Sequence, residues 1–372
     1  MTRFALALAA LIALPATAPS TARAQEAEPR WSLVIHGGAG TIRRESMTPE
    51  KDAEIRAKLD EALVAGSEIL AAGGSSLDAI QAAIMVLEDD PNFNAGRGAV
   101  FTWEGTNSLD SSIMRGDTLE AGAVAGLSTT KNPILAARAV MEQSPHVLLS
   151  GEGADTFASE QGIEQVDPDY FYTQERYDAL TRFKENAMRG ANSEQLEVDY
   201  KFGTVGAVAM DVNGVISAGT STGGMTGKRW GRIGDSPIIG AGTYANDLCG
   251  VSATGTGEYF IRLNVAAAHC SQVGLNFHSA QDAARRFELL RQREDSDAGI
   301  VYESFEPATP AEISRLSGNR IIRKVGELGG SGGIIYLAPD GTPGWSFDTP
   351  GMYRGSATSA DGRTVAIYGD EE

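Results

Sequence analysis

Apolar positions along the chain change period several times, and the changes mark the elements. Trp31-Ser32-Leu33-Val34-Ile35-His36 predicts a buried strand that runs into a glycine-rich turn at Gly37-Gly38-Ala39-Gly40. A helical period then covers residues 48–72 and stops at Gly73-Gly74, a plausible C-terminal cap. Ser75 and Asp78 open a second helix in the manner of a capping box, and Leu77, Ile80, Ile84 and Leu87 recur on one face of it until Asp89-Asp90-Pro91 breaks it. Short strands and turns are expected up to Met114, then a strand over residues 121–127 and a helix from Asn132-Pro133 to Met141. Residues 167–200 turn polar and charged, with helix-like residues after Tyr170-Phe171-Tyr172, and read as a surface linker.

The hairpin expected over residues 203–222 organises the C-terminal half of the chain. Two apolar runs flank Asn213-Gly214, a dipeptide that favours the positive φ angles of a tight turn, so Thr204 and Thr222 fall at the far ends of paired strands. A polar glycine-rich loop, residues 223–237, comes next, then a strand-to-loop unit over 251–258, helices near 259–268 and 280–292, and a closing hairpin of Ile334-Ile335-Tyr336-Leu337 and Trp345-Ser346-Phe347 about Asp340-Gly341. Strands in hairpins and helices in separate blocks predict an α+β layered sheet protein and argue against regular βαβ alternation.

Charge and composition narrow the function. The 372 residues carry a formal charge of -18, which argues against binding a phosphate backbone. Arg3, the short apolar run 4–14 and the small-x-small site Ala22-Arg23-Ala24 read as a secretory signal peptide, residues 1–24. Its removal takes away two arginines, so the mature charge becomes -18 minus 2, or -20. No later stretch is long and apolar enough to cross a membrane. Cys249 and Cys270 are the only cysteines, and spacing leaves a disulfide and two buried thiols both open. His36, His146, His269 and His278 are scattered, with no zinc-ligand spacing and no hint of histidine-based catalysis.

Candidate chemistry gathers around Thr204. A threonine hydroxyl needs a base, and a threonine freed as a new N-terminus carries one in its own α-amino group, whose pKa is about 8. Gly203 tolerates the peptide conformation from which that hydroxyl can attack the preceding carbonyl. Arg232 can grip a carboxylate in bidentate fashion and Asp235 can pair with an ammonium, which suits an α-amino acid. Thr254-Gly255-Thr256-Gly257 offers a hydroxyl and unshielded N–H groups to an oxyanion. Each feature alone has a plainer reading: a β-branched strand residue, a surface ion pair, a glycine-rich turn.

Together they resemble one family. Gly203-Thr204-Val205-Gly206-Ala207-Val208-Ala209, Thr220-Ser221-Thr222-Gly223-Gly224-Met225-Thr226, Gly231-Arg232-Ile233-Gly234-Asp235-Ser236-Pro237 and Thr254-Gly255-Thr256-Gly257-Glu258 are similar to the plant-type L-asparaginase, or isoaspartyl peptidase, family of N-terminal-nucleophile hydrolases. His36-Gly37-Gly38-Ala39-Gly40, Phe93-Asn94-Ala95-Gly96, Pro145-His146-Val147 with Gly151-Glu152-Gly153-Ala154, and Gly351-Met352-Tyr353-Arg354-Gly355 extend the likeness over most of the chain. Residues 167–200, Arg97 and Gly227 follow no fixed pattern.

The resemblance implies a four-layer αββα sandwich, self-cleaved between Gly203 and Thr204 into subunits 25–203 and 204–372 that assemble as a dimer of such pairs. It implies Thr204 as nucleophile, Thr222 as its hydroxyl partner, and Thr254 and Gly255 as the oxyanion site. Arg232 and Asp235 would hold the substrate's α-carboxylate and α-amino groups, with Ile233, Gly234, Thr256, Gly257 and Asn94 in the binding set. It also implies a sodium ion on the backbone carbonyls of Leu87, Glu88, Asp90, Phe93, Ala95 and Arg97, and no organic cofactor. The expected activity is hydrolysis of L-asparagine and of β-aspartyl dipeptides, in an exported, periplasmic enzyme that binds neither nucleic acid nor, once the signal is removed, membrane. A glycosylasparaginase and an uncleaved, inactive amino-acid-binding protein are the alternatives.

Overall fold

Three glycines in mid-strand show how closely this molecule stacks its layers. A Cβ on Gly219 would meet Ile80, Ile84 and Ile134, and one on Gly250 would meet Val208 and Ile216 across the neighbouring sheet. A Cβ on Gly206 would fall 1.9 Å from the Ser252 hydroxyl. The computed structural model describes residues 30–189, 203–293 and 306–371. The expected signal segment and the far end of the 167–200 stretch lie outside the described residues.

Strands β1 (Ser32–Gly40), β2 (Leu109–Arg115), β3 (Ala121–Leu127), β4 (Leu148–Ser150), β5 (Val205–Met210), β6 (Ile216–Thr222), β11 (Gly351–Thr358) and β12 (Gly362–Tyr368) form one sheet in the order β12-β11-β1-β5-β6-β2-β3-β4. Strands β7 (Thr243–Asn246), β8 (Cys249–Gly255), β9 (Gly332–Leu337) and β10 (Pro343–Phe347) form a second, in the order β10-β9-β8-β7. Helices α1 (Pro49–Ala71), α2 (Ser76–Glu88) and α3 (Pro133–Gln143) pack on the large sheet, and α7 (Val265–Arg293) and α8 (Pro310–Glu327) on the small one. Between these two groups in the chain come α4 (Gly151–Glu160), α5 (Gln174–Met188) and α6 (Gly257–Leu263).

The expected αββα sandwich is therefore present, with a separate apolar core at each of its three interfaces. Leu33, Leu59, Ile80, Ile84 and Phe93 fill the first, Val34, Val208, Ile335 and Met352 the second, and Val251, Phe260, Val265 and Ile322 the third. Fully burying one such side chain stabilises the fold by roughly 1.5–3 kcal/mol.

The helix starts follow their caps. Thr48 and Ser75 accept the N–H groups of Lys51 and Asp78 at the heads of α1 and α2. Elsewhere tertiary contacts overrule the local signal. Gly37-Gly38-Ala39-Gly40 is not a turn: it continues β1, bulged between His36 and Gly38, because β11 pairs along it and the Phe93 ring occupies the space beside Gly37. The hairpin connection is longer than a two-residue turn, since Asp211 draws the N–H groups of Asn213 and Val215 onto its carboxylate, with Gly214 at φ +80. The two helices expected near 259–268 and 280–292 are instead α6 and one long α7, broken at Asn264 in the left-handed region. Part of the expected linker is α5, held by its buried residues Arg176, Leu180 and Phe183. Helix α8 and the β11–β12 hairpin have no counterpart in the reading from sequence. A disulfide joins Cys249 on β8 to Cys270 on α7, which decides between the two options.

Candidate active site

The register of β5 on β6 pairs Val205 with Ser221, so the next residues outward are Thr204 and Thr222. Their hydroxyl oxygens lie 2.9 Å apart. The Thr222 hydroxyl also accepts the N–H of Gly224 at 3.0 Å, leaving its proton free to point at Thr204. Thr204 is 9% exposed, which limits the water that can compete for its hydroxyl.

Asn94 clamps the bond in front of Thr204. Its N–H donates to the Gly203 carbonyl at 2.9 Å, and its own carbonyl accepts from Gly223. The side chain donates to the Gly224 carbonyl at 2.7 Å and accepts from the Val100 N–H at 2.9 Å. One residue thus fixes both ends of the hairpin and polarises the Gly203 carbonyl. A Cβ on Gly203 would press on Asn94 at 2.9 Å, so a side chain there would force this clamp apart.

The residues expected to bind substrate come from the loop after β6 and the end of β8. Asp235 is buried, one carboxylate oxygen has no hydrogen-bond partner, and burial pushes its pKa up to about 7, with the Arg232 charge pulling the other way. Arg232 is turned onto Glu258, donating from Nε and Nη2 at 2.9 and 3.1 Å. Gly257 separates the two anchors: a Cβ there would lie 2.8 Å from Arg232 Nη2 and 2.9 Å from Asp235 Oδ1. Gly234 likewise leaves room for the guanidinium, while Ile233 is an exposed side chain. The Thr254 hydroxyl is buried without a partner. A Cβ on Gly255 would lie 2.4 Å from the Ser331 carbonyl, and Thr256 is tied by its N–H to that same carbonyl at 2.9 Å. The groups supplied are a paired hydroxyl, an unpaired hydroxyl, a carboxylate and a guanidinium.

Two buried groups escaped the reading from sequence. Lys228, its pKa lowered by burial, donates to the Ser108 carbonyl at 2.8 Å and stands 3.8 Å from Asp110, which pairs with Thr222 across the sheet. Behind Thr204, burial pushes His36 down to about 3, so the ring is neutral, and its Nε2 lies 2.9 Å from the Ser252 hydroxyl. A neutral buried histidine bound to a serine supports the strand; the motif His36-Gly37-Gly38 was its only trace in the chain.

The loop on either side of Asn94 is folded around two glycines. A Cβ on Gly96 would lie 2.4 Å from the Glu88 carbonyl, and one on Gly98 would lie 2.0 Å from the Phe93 carbonyl and 2.7 Å from that of Pro91. The Glu88 side chain faces the other way, accepting from Ser221 and the Ile134 N–H, and burial pushes its pKa up to about 8. Among the described residues no His/Cys/Asp/Glu cluster with metal-ligand geometry occurs.

Residues 29–306 match the protein-family model described as Asparaginase. The chain belongs to that family. The isoaspartyl peptidase of Escherichia coli (strain K12) is 42% identical to it over 339 residues, 90% of this chain and 95% of the relative. The plant-type L-asparaginase of Pyrococcus abyssi is 47% identical over 283 residues, 73% and 90% of the two chains. As a member of the asparaginase family the protein is a hydrolase, and the αββα layers belong to an α+β fold of the N-terminal-nucleophile type.

Proposed function

We propose that this asparaginase-family chain cuts itself between Gly203 and Thr204 and then hydrolyses the side-chain amide of L-asparagine and the β-linked bond of β-aspartyl dipeptides. The observation that carries the proposal is the 2.9 Å contact of the Thr204 and Thr222 hydroxyls beside a Gly203 carbonyl held by the Asn94 N–H. The names of the relatives, isoaspartyl peptidase and plant-type L-asparaginase, support the substrate class over a glycosylasparaginase or an inactive binding protein.

In the cut, Thr204 Oγ1 attacks the Gly203 carbonyl carbon, the C–N bond breaks and the acyl group moves from nitrogen to oxygen. Water then hydrolyses the ester, leaving a Gly203 carboxylate and a free Thr204 amine. The same hydroxyl next attacks the β-carbonyl of a bound substrate, passing its proton to that amine. The amine returns the proton to the departing nitrogen, so ammonia or an amino acid leaves and a β-aspartyl ester remains. Water, deprotonated by the amine, attacks the ester, releasing aspartate and restoring the hydroxyl. Thr254 and the backbone at Gly255 would receive the oxyanion, Arg232 the α-carboxylate once it exchanges Glu258 for substrate, and Asp235 the α-ammonium.

The chemistry calls for no organic cofactor. Backbone carbonyls suit a hard cation such as sodium, and those of Leu87, Glu88, Asp90, Phe93, Ala95 and Arg97 would hold it as a brace for the Asn94 clamp. The signal-like residues 1–24 and the disulfide fit an exported, periplasmic protein, and a dimer of cleaved pairs is the assembly we infer.

Denaturing gels with intact mass, followed by kinetics on L-asparagine, β-aspartyl-leucine and an N-glycosyl-asparagine, test the proposal. Fragments beginning at residue 25 and at Thr204, with turnover of the first two substrates, are expected. A lasting single chain, or a preference for the glycosylated substrate, would overturn it.

A further inference from the structure

The loop that carries Arg232 also borders a cleft. The cleft, of about 320 Å³, is bounded by Trp103, Phe183, Arg229, Trp230 and Arg232. Arg232 is therefore a wall shared by the cleft and by the amino-acid anchor. Gly227, at φ +71, lets Phe183 into the wall, since a Cβ there would lie 2.4 Å from the ring.

The cleft's chemistry differs from the rest of this acidic molecule. The Arg229 guanidinium lies 3.3 Å from the centre of the Trp103 ring and 5.8 Å from that of Trp230, and the Lys184 ammonium lies 5.4 Å from Trp103. Neither cation has a carboxylate partner among the described residues, although the whole chain carries a net charge of -18. Trp230 is 93% exposed and sits at φ +57. A non-glycine residue in that conformation costs roughly 1–2 kcal/mol, and an indole left in water forgoes the burial that such a side chain ordinarily gains. The loop meets both costs while holding, beside Arg232, an aromatic face and a guanidinium that has no carboxylate partner among the described residues.

L-asparagine has nothing to place here, because it loses only ammonia. A β-aspartyl dipeptide loses a whole amino acid, which carries a side chain and a free carboxylate. We propose that Trp103, Arg229 and Trp230 form the subsite for this leaving residue, with Arg229 taking its carboxylate and the two indoles its side chain, so that the enzyme favours dipeptides ending in an aromatic or large apolar residue. The proposal rests on the reading of Thr204, Arg232 and Asp235 as the main site.

The test compares kcat/KM for β-aspartyl-phenylalanine, its C-terminal amide, β-aspartyl-glycine and L-asparagine in the wild type, Arg229→Gln and Trp230→Ala. In the wild type the phenylalanine dipeptide is expected to exceed both its amide and the glycine dipeptide. Arg229→Gln should lower kcat/KM for the phenylalanine dipeptide about 10-fold or more and erase its advantage over the amide, since a charge-assisted bond is lost. Trp230→Ala should bring the phenylalanine dipeptide down to the level of the glycine one. Turnover of L-asparagine should stay within about twofold in both variants, which also shows that they fold and mature. Equal losses on asparagine and dipeptides, or no change in dipeptide selectivity, would overturn the subsite. Wild-type protein that hydrolyses asparagine but no dipeptide would overturn it too, while wild type inactive on all four would instead remove the reading of the main site.

Discussion

Two sets of hydroxyls, each two residues apart on the same strand faces, meet opposite fates. Thr220 and Ser252 lie inside the sandwich, on β6 and β8, with their oxygens 2.6 Å apart. Ser252 also meets His36, Thr220 meets Thr243 at 2.6 Å, and Thr243 meets Ser112 at 2.8 Å. Every hydroxyl of this chain has a partner, and although His36 Nδ1 has none, the set functions as an adhesive between the two sheets. Two positions along the same strands stand Thr222 and Thr254, at the strand ends. There the Thr254 hydroxyl and one Asp235 oxygen are buried with no partner, and the Thr222 hydroxyl is shared with Thr204. Unpartnered buried atoms also occur away from the site, as on His269, so an orphan alone is no signature. What marks the strand ends is the company they keep: Thr222 meets Thr204, and the stretch that follows Thr254 brings Gly257 against both the Arg232 guanidinium and the Asp235 carboxylate.

If that contrast is right, the largest effect comes from Thr204→Ala. The chain should remain uncut on a denaturing gel and show no hydrolysis of L-asparagine above background. A processed Thr204→Ala protein would mean that another group performs the cut, and would erase the distinction between the two sets.

Next in size is Arg232→Ala. Losing a charged hydrogen bond costs about 1.5–3 kcal/mol, so kcat/KM for L-asparagine should fall roughly 10- to 100-fold while the protein still matures. An unchanged value would leave Arg232 as no more than the partner of Glu258.

Asp235 sharpens the comparison through pH. With its pKa raised to about 7, it is protonated below that value and cannot pair with an α-ammonium, so kcat/KM should climb as pH rises through about 7. Stability should run the other way. A carboxyl whose folded pKa is raised binds more protons folded than unfolded, so its contribution is fully present below the unfolded value of 3.8 and is lost as pH rises through about 7. Melting curves of wild type and Asp235→Asn between pH 5 and pH 9 check this: the variant should lose that component of the slope. Parallel curves would count against a buried, substrate-facing carboxyl.

The smallest expected effect belongs to the satisfied set. Ser252→Ala leaves His36 and Thr220 each one partner short and should lower stability by about 1–3 kcal/mol, read as a lower melting temperature. Activity per folded molecule should change little. A large loss of kcat at unchanged stability would make the inter-sheet hydroxyls part of the reaction.

Much of the fold and the site was legible in the chain. The caps at Thr48 and Ser75 and the hairpin strands are local signals, and local signals survive folding because their partners lie a few residues away. The placement of Thr204 opposite Thr222 came from strand pairing alone, even though the connection proved longer than a two-residue turn. The glycine run after His36, by contrast, has the local signature of a turn, because nothing local reveals that β11 and the Phe93 ring claim it. Helix α8 and the β11–β12 hairpin have no counterpart among the elements expected from sequence, and Trp103, Lys184 and Arg229 are too far apart in sequence for any motif to join them.

By itself, then, the order of residues determined which groups could react: a Gly-Thr bond, a second hydroxyl at the matching strand position, an arginine and an aspartate three apart on a glycine-rich loop. Tertiary structure decided which of them are left unsatisfied. That choice depends on the stacking of two sheets, where Gly206 admits the His36–Ser252 bond and silences one row of hydroxyls, while beyond it, at the end of β8, the Thr254 hydroxyl is left without a partner. Partners that come from distant parts of the chain set burial and charge, and a sequence states its partners only when they are near.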